Sequence, residues 1–144
     1  MIAEAASAAD AAEVIALWQA CGLSRPWNDP KADFYRALLG AHSTLLLARS
    51  NDRIAATIMV GEDGHRGWVY YLAVDPAHRR SGLGRTMMAA AEAWLRARGA
   101  PKIQFMVRED NAATIAFYEH LGYAQQPVTT LGRFLDHHPT EQDR

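Results

Sequence analysis

The sequence predicts an α/β domain built around one mixed sheet. Three observations carry this. Strand-like apolar runs alternate with stretches whose apolar residues recur at helical spacing. One run, Trp68 to Val74, is apolar at both alternating positions, as in a central strand covered on both faces. The length, 144 residues, suits one domain that can bury a sizeable core without disulfides or a structural metal.

The N-terminal residues 2–6 are weakly strand-like. Ser7 or Asp10 can cap a first helix, with Val14, Leu17, Trp18 and Cys21 on its inner face and Gly22 as its stop. Cys21 therefore reads as a core residue rather than a nucleophile. Asp29 followed by Pro30 reads as the cap and first residue of a second helix, with Phe34, Leu38 and Leu39 inward. Strands are expected over 44–48 and 54–60, joined by a turn at Asn51 and Asp52. A second turn, residues 62–67, leads into the central run 68–74, which Asp75 and Pro76 end. A long helix follows the loop His78 to Gly84, its inner stripe being Leu83, Met87, Ala91, Trp94 and Leu95. Glu92 and Arg96 form an i,i+4 pair outside. A strand is expected over 103–107. A helix from Asn111 carries Ile115, Tyr118 and Leu121 on one side. Two last strands are expected between Tyr123 and Leu135. The predicted order is β-α-α-β-β-β-α-β-α-β-β over residues 1–136, with a polar tail at 137–144.

Composition excludes several classes. Hydrophobic residues at 49% and charged residues at 22% argue against a disordered chain. Fifteen Lys and Arg against sixteen Asp and Glu leave a net charge of -1, so no overall field draws in nucleic acid or a membrane. One cysteine rules out an internal disulfide framework and a cysteine-based zinc site. The histidines show no paired ligand spacing outside His137 and His138, so no metal is assigned. No apolar run approaches the roughly 18 residues of a membrane span. The alanine-rich start lacks a basic segment and carries Glu4, Asp10 and Glu13, unlike a signal or transit peptide. The expectation is a soluble cytoplasmic protein, monomer or homodimer.

Chemistry concentrates in the loop before the long helix. Arg79-x-x-Gly82-x-Gly84 lies between a buried strand and a helix start. Glycines there let a ligand approach the backbone, and unpaired N–H groups with the positive dipole end suit a pyrophosphate. Arg79, Arg80 and Arg85 add charge. The bland alternative is a helix start that happens to be glycine-rich and basic. Other phosphate motifs fit poorly: Gly84 is followed by Arg85 and Thr86 rather than Lys and Ser/Thr, and Met87 stands where the dinucleotide fingerprint needs a small residue.

With its neighbours, the loop reads Leu72-Ala73-Val74-Asp75-Pro76-x-x-Arg79-Arg80-x-Gly82-x-Gly84. This resembles the acetyl-CoA signature of the GNAT superfamily of N-acetyltransferases. Asn111-x-x-Thr114-Ile115-x-Phe117-Tyr118-x-x-x-Gly122-Tyr123 resembles the superfamily's second signature, and the element order is similar too. Residues 25–30, 63–67 and 101–104 look like the bacterial YpeA-like acetyltransferases. The resemblance implies that backbone groups of Leu72, Ala73 and Val74 lie along the pantetheine arm of acetyl-CoA. One of their N–H groups would face the thioester oxygen. Backbone N–H groups of Arg80, Ser81, Gly82, Leu83, Gly84 and Arg85 would hold the pyrophosphate. Asn111 would contact the cofactor, and Tyr118 would stand beside its sulfur as general acid.

The implied chemistry is reasonable. A phenol of pKa about 10 can protonate a thiolate of pKa about 8.5 at a cost of only ~2 kcal/mol. A backbone N–H freed from sheet pairing by a bulge can serve as the oxyanion donor. Some peptide N-terminal acetyltransferases carry a glutamate base five residues before the asparagine; here that position is Met106. Glu62, Asp63, His65 and Glu109 are then the candidate bases, directly or through water. Trp27, Asn28 and Asp29 border the acceptor side by the same resemblance, with Asp63 and His65 as further candidates; the plain alternative is a helix cap beside a packed tryptophan. The implied function is transfer of an acetyl group from acetyl-CoA to a primary amine of a small molecule or peptide. A non-catalytic acyl-CoA sensor on the same fold is the alternative.

Overall fold

A computed structural model of the chain describes residues 1–136. Elements follow the expected order through the fourth helix: β1 (Glu4–Ala5), α1 (Ala11–Ala20), α2 (Pro30–Leu39), β2 (Ser43–Ser50), β3 (Arg53–Glu62), β4 (Gly67–Val74), α3 (Leu83–Ala97), β5 (Ile103–Gln104) and α4 (Ala112–His120). The sheet runs β1-β2-β3-β4-β5. Its first three pairings are antiparallel and the last, β4 with β5, is parallel. A parallel pair needs a crossover, and α3 supplies it. The described chain divides into two units: residues 1–24 with 28–105, which hold the sheet and α1 to α3, and residues 25–27 with 106–136.

Local chemistry explains the helix starts. Ser7 N–H donates to Asp10 Oδ2 at 2.8 Å, closing a capping box before α1. The other Asp10 oxygen accepts from Arg49 Nη2 at 2.7 Å, which ties the cap to the end of β2. Asp29 Oδ1 accepts the N–H groups of Lys31 and Ala32 at 3.0 and 3.2 Å, with Pro30 as the first residue of α2. Between β2 and β3, Asn51 and Asp52 take φ of 51° and 64°, as a tight hairpin turn matched to strand twist requires.

Val14, Leu17 and Trp18 of α1 and Phe34 and Ala37 of α2 share one core cluster with Leu45, Leu47, Ile54 and Ala73 of the sheet. Trp18 and Phe34 are fully buried; truncating either to alanine would cost about 3–5 kcal/mol. The long α3 takes no part in that cluster. It packs on β2, β3 and β4 through its own stripe of Leu83, Met87, Met88, Ala91 and Leu95. Contact at Gly67 is so close that a Cβ there would lie 2.5 Å from Leu95 Cδ1.

Several expectations need correction. Leu39 is 77% exposed, because it sits about 100° round the helix from Leu38, beyond the inward face set by Phe34 and Ala37. In α3, Met88 rather than Trp94 is buried; Trp94 is half-buried and stacks under the Arg98 guanidinium, 4.5 Å from its ring centroid. The strand expected over 103–107 is only Ile103–Gln104. β4 is not covered on both faces throughout: Tyr70 is 46% exposed, and the short β5 pairs only with Gly67 and Trp68. Described residues 121–136 contain no strand, unlike the two expected there. Val128, Leu131 and Leu135 are all exposed, and Pro127 has no N–H to give a ladder. The expected polar tail, with His137 and His138, lies outside the described residues.

In the second unit, Asn111 Oδ1 accepts Thr114 N–H at 3.2 Å and caps α4, which Gly122 follows with φ of 100°. No residue of α4 is buried.

Candidate active site

The site is built on the end of β4 and the loop that follows. β4 pairs with β5 only through Gly67 and Trp68. From Val69 to Val74, no described strand pairs with that side of β4. On the other side the register to β3 shifts: Thr57 faces Ala73 and Met59 faces Tyr70, so Tyr71 and Leu72 together oppose Ile58. This is a β-bulge, and Tyr71 adopts φ of 53° within it. A left-handed tyrosine in mid-strand is strained and needs its surroundings to hold it.

The surroundings are plain. Trp18 Nε1 donates to Thr57 Oγ1 at 3.1 Å, and Thr57 Oγ1 donates to the Tyr71 carbonyl at 3.3 Å. The Tyr71 ring stacks on Trp18 with centroids 3.9 Å apart, and its hydroxyl donates to Asp33 Oδ2 at 2.6 Å. Burial first, then the Asp33 carboxylate, pushes the Tyr71 phenol well above its ordinary pKa. Three residues further along, the Cys21 thiol donates to the Val74 carbonyl at 3.3 Å. Cys21 is thus half-buried and structural, in keeping with its reading as a core residue.

Past Val74 the chain makes a 3-10 turn, Pro76–His78, capped by Asp75, whose Oδ1 accepts Ala77 N–H at 2.9 Å. The loop through Arg79, Arg80 and Ser81 then bends sharply. Arg80 has φ of 65° and Gly82 has φ of 82°. Ser81 Oγ donates to the His78 carbonyl. Gly82 is the N-cap of α3, so the left-handed requirement falls on Gly82, while Gly84 lies within the helix. No side chain caps α3, and its first turn has no acidic residue. The N–H groups of Leu83, Gly84 and Arg85 occupy that turn, where a helix has no carbonyl to offer. An uncapped helix start beside three arginines and a left-handed glycine fits a pyrophosphate.

In the second unit Tyr118 packs edge-on against Phe117 and Tyr123, with centroids 5.0 and 6.1 Å away. Tyr118 is half-buried, and the partial desolvation pushes its phenol up to about 12. The proton is firmly held at neutral pH. Giving it to a thiolate of ordinary pKa about 8.5 would cost about 5 kcal/mol, against the ~2 kcal/mol of an unperturbed phenol. Trp27 belongs to the same unit, its ring under the Arg108 guanidinium at 5.7 Å. Met106 is exposed.

The carboxylates suggested as bases are mostly occupied. Glu62 Oε1 lies 2.7 Å from His42 Nδ1 and 3.7 Å from Arg98, and Oε2 accepts Gly64 N–H; His42 first, then this N–H, holds it below the usual carboxylate range. Asp63 folds the β3–β4 turn: Oδ1 accepts the N–H groups of Arg66 and His65, and Oδ2 accepts Trp68 Nε1 at 3.2 Å. Those backbone bonds hold it low as well. His65 and Glu109 are exposed. Asn28 is exposed beside Asp29, whose carboxylate is the helix cap described above. By strand alternation Tyr70 and Tyr71 are expected on opposite faces of the central run, at most one of them toward the acceptor; sequence reasoning missed the bulge at Tyr71 and the parts of Trp18, Thr57 and Asp33 in holding it. One signal was present, a lone threonine in the apolar run 54–60.

Comparison with known proteins assigns the class. The sequence profile of the acetyltransferase (GNAT) family matches residues 11–123. An acetyltransferase of Yersinia pestis (strain Pestoides F) is 46% identical over 126 residues, covering 88% of this chain and 89% of that protein. The chain belongs to the GNAT family and is an acetyltransferase. Its fold is that of the ribosomal-protein-S18-alanine N-acetyltransferase from Escherichia coli, with TM-score 0.75 and 26% identity over 99% of this chain and 86% of the other. It is also that of the aminoglycoside antibiotic 6'-N-acetyltransferase AAC(6')-Ig from Acinetobacter haemolyticus, with TM-score 0.77 and 23% identity over 94% and 100%. Among the described residues, no helix is long and apolar enough to cross a membrane, and no cluster of three metal-ligating side chains occurs.

Proposed function

We propose that the protein transfers an acetyl group from acetyl-CoA directly to a primary amine of a small molecule or peptide. The observation that carries this reading is the continuity of β4 with the α3 start. A bulged strand with one open side leads, within ten residues, to an uncapped helix N-terminus among arginines.

Acetyl-CoA supplies an activated acyl carbon. The backbone N–H groups at the start of α3, with Arg79, Arg80 and Arg85, hold its pyrophosphate. The segment Leu72 to Val74 aligns the pantetheine arm by main-chain hydrogen bonds, and an N–H freed at the bulge donates to the thioester oxygen as negative charge grows there. Asn111 contributes to cofactor binding from the start of α4. Tyr118 gives its proton to the sulfur as the C–S bond breaks, while the amine nitrogen bonds to the acyl carbon and releases its surplus proton to solvent. Desolvation raises a thiolate's proton affinity as it raises the phenol's, which narrows the gap between them. Trp27, Asn28, Asp29, Asp63 and His65 are the acceptor-side residues in this reading.

The test is release of CoA thiol from acetyl-CoA across a panel of polyamines, aminoglycosides and peptides with free N-terminal amines. Amine-dependent release with acetylated product is expected. Tight acetyl-CoA binding with no release for any amine would favour the acyl-CoA sensor instead.

A further inference from the structure

We infer that Thr57, backed by Trp18 and Cys21, is a positioning residue that sets the aim of the β4 bulge and so of its oxyanion-facing N–H. This rests on the proposed acetyl transfer.

Burying a hydroxyl among apolar side chains is costly unless it is bonded on both counts. Thr57 is 1% exposed and lies in the run Ala55, Ala56, Thr57, Ile58, where a valine would pack equally well. Its hydroxyl does what no aliphatic group can. It accepts from the Trp18 indole and donates to the carbonyl of Tyr71, the residue with the left-handed φ. That carbonyl is on the bulge, where regular ladder pairing is interrupted. Trp18 also forms the floor on which the Tyr71 ring stacks. One helical turn later Cys21 holds the Val74 carbonyl. Two carbonyls, at 71 and 74, are thus fastened from the C-terminal half of α1, one through Thr57 and one directly. Between them lie Leu72 and Ala73. Fixing the carbonyl of one peptide unit fixes the plane of the N–H that follows it, because the unit is planar. The Tyr71 carbonyl and the Leu72 N–H belong to the same peptide unit.

A preorganised donor acts mainly on the transition state, so loosening it lowers kcat more than it changes cofactor affinity. Removing an oxyanion donor outright costs roughly 10²–10³ in rate. Thr57→Val removes the brace and leaves the donor, so a loss of about tenfold in kcat is expected, with KM for acetyl-CoA within about twofold. Thr57→Ser keeps the hydroxyl and restores kcat. Backbone amide NMR reads the cause without turnover: in the acetyl-CoA-free protein the Leu72 and Ala73 amides should shift in Thr57→Val and stay near wild type in Thr57→Ser. If Thr57→Val does not fold, Cys21→Ala carries the test at the half-buried second brace, with a loss of about threefold in kcat and a shifted Asp75 amide. Wild-type kcat in Thr57→Val, or a lower kcat with unmoved bulge amides, would overturn the inference and leave the acetyl-transfer reading standing. Absence of amine-dependent thiol release from the wild-type protein would overturn both.

Discussion

Two glycines two residues apart should respond to the same substitution with opposite signs. Gly82 has φ of 82° and ψ of 7° as the N-cap of α3, whereas Gly84 is the helix's second residue. A Cβ at Gly82 would meet no heavy atom within 4 Å, so Gly82→Ala carries no clash, only the left-handed penalty of an L-residue. That penalty is about 1–2 kcal/mol. At Gly84 the backbone is already helical, and Ala for Gly there gains up to ~1 kcal/mol. For a domain near this size each kcal/mol moves Tm by about 2–4 °C. Gly82→Ala should therefore melt about 2–8 °C below wild type, and Gly84→Ala up to about 4 °C above it. Affinity should break the symmetry. If the first turn of α3 holds the pyrophosphate, a methyl group at Gly84 pushes the ligand from the N–H groups. Each charge-assisted bond lost costs roughly 1.5–3 kcal/mol, at least about tenfold in Kd. Thermal melts without ligand and calorimetric titration with acetyl-CoA measure the two effects separately. A Gly84→Ala protein that is stabilised yet binds acetyl-CoA within about twofold of wild type would refute the placement of the pyrophosphate. A Gly82→Ala protein as stable as wild type would refute the conformational argument.

Two further outcomes follow. Tyr118→Phe should keep the fold and nearly all acetyl-CoA affinity while lowering kcat and kcat/KM together by about 10²–10⁴-fold; an acyl thioester with a more acidic thiol should recover part of the loss, and wild-type turnover would remove the phenol from the reaction. Asp10→Asn should lower stability by roughly 1–3 kcal/mol near neutral pH, because a nearly buried charge-assisted bond to Arg49 is lost. Burial raises the Asp10 pKa, but the Ser7 N–H and Arg49 outweigh it and hold the group below its ordinary value. A depressed folded-state pKa stabilises above the unfolded value of about 3.9 and is lost as pH falls through the folded value. The gap between wild type and Asp10→Asn should therefore be constant above about pH 5 and narrow as urea titrations are made more acidic; a gap that stays constant or widens as pH falls would contradict this.

Local signals in the sequence carried most of the scaffold. Asp29 followed by Pro30 marks a helix start through bonds that span three residues. Asn51 and Asp52 mark a turn, and the Glu92–Arg96 pair forms at 3.1 Å as its spacing predicts. What escaped depends on partners far along the chain. The uncovered part of β4 follows from the early end of β5, thirty-odd residues later. The bulge at Tyr71 is held by Thr57 and Trp18, one on the neighbouring strand and the other on α1. No periodicity in Trp68 to Val74 reveals that one of its residues is supernumerary. The glycine loop was legible as a phosphate motif, but which of its glycines turns the chain is a backbone angle, and only the structure separates Gly82 from Gly84.

The parallel pairing of β4 with β5 has a consequence for folding kinetics. It spans only Gly67 with Ile103 and Trp68 with Gln104, and the whole of α3 lies between the partners. The β2–β3–β4 meander, by contrast, is joined by short turns and has extensive ladders. Contacts that close short loops form ahead of those that close long ones, and sparse pairings open first in the native state. The expected order has the meander forming early and the pairing of β4 with β5 last, as a late rather than founding feature of the sheet. Native-state hydrogen exchange would show it: the Gly67 amide, which donates to the Lys102 carbonyl at 2.8 Å, should exchange through a smaller opening than the amides of the β2–β3 ladder. Equal protection at both places would instead mean that the β4–β5 pairing and the meander rise and fall as one cooperative body.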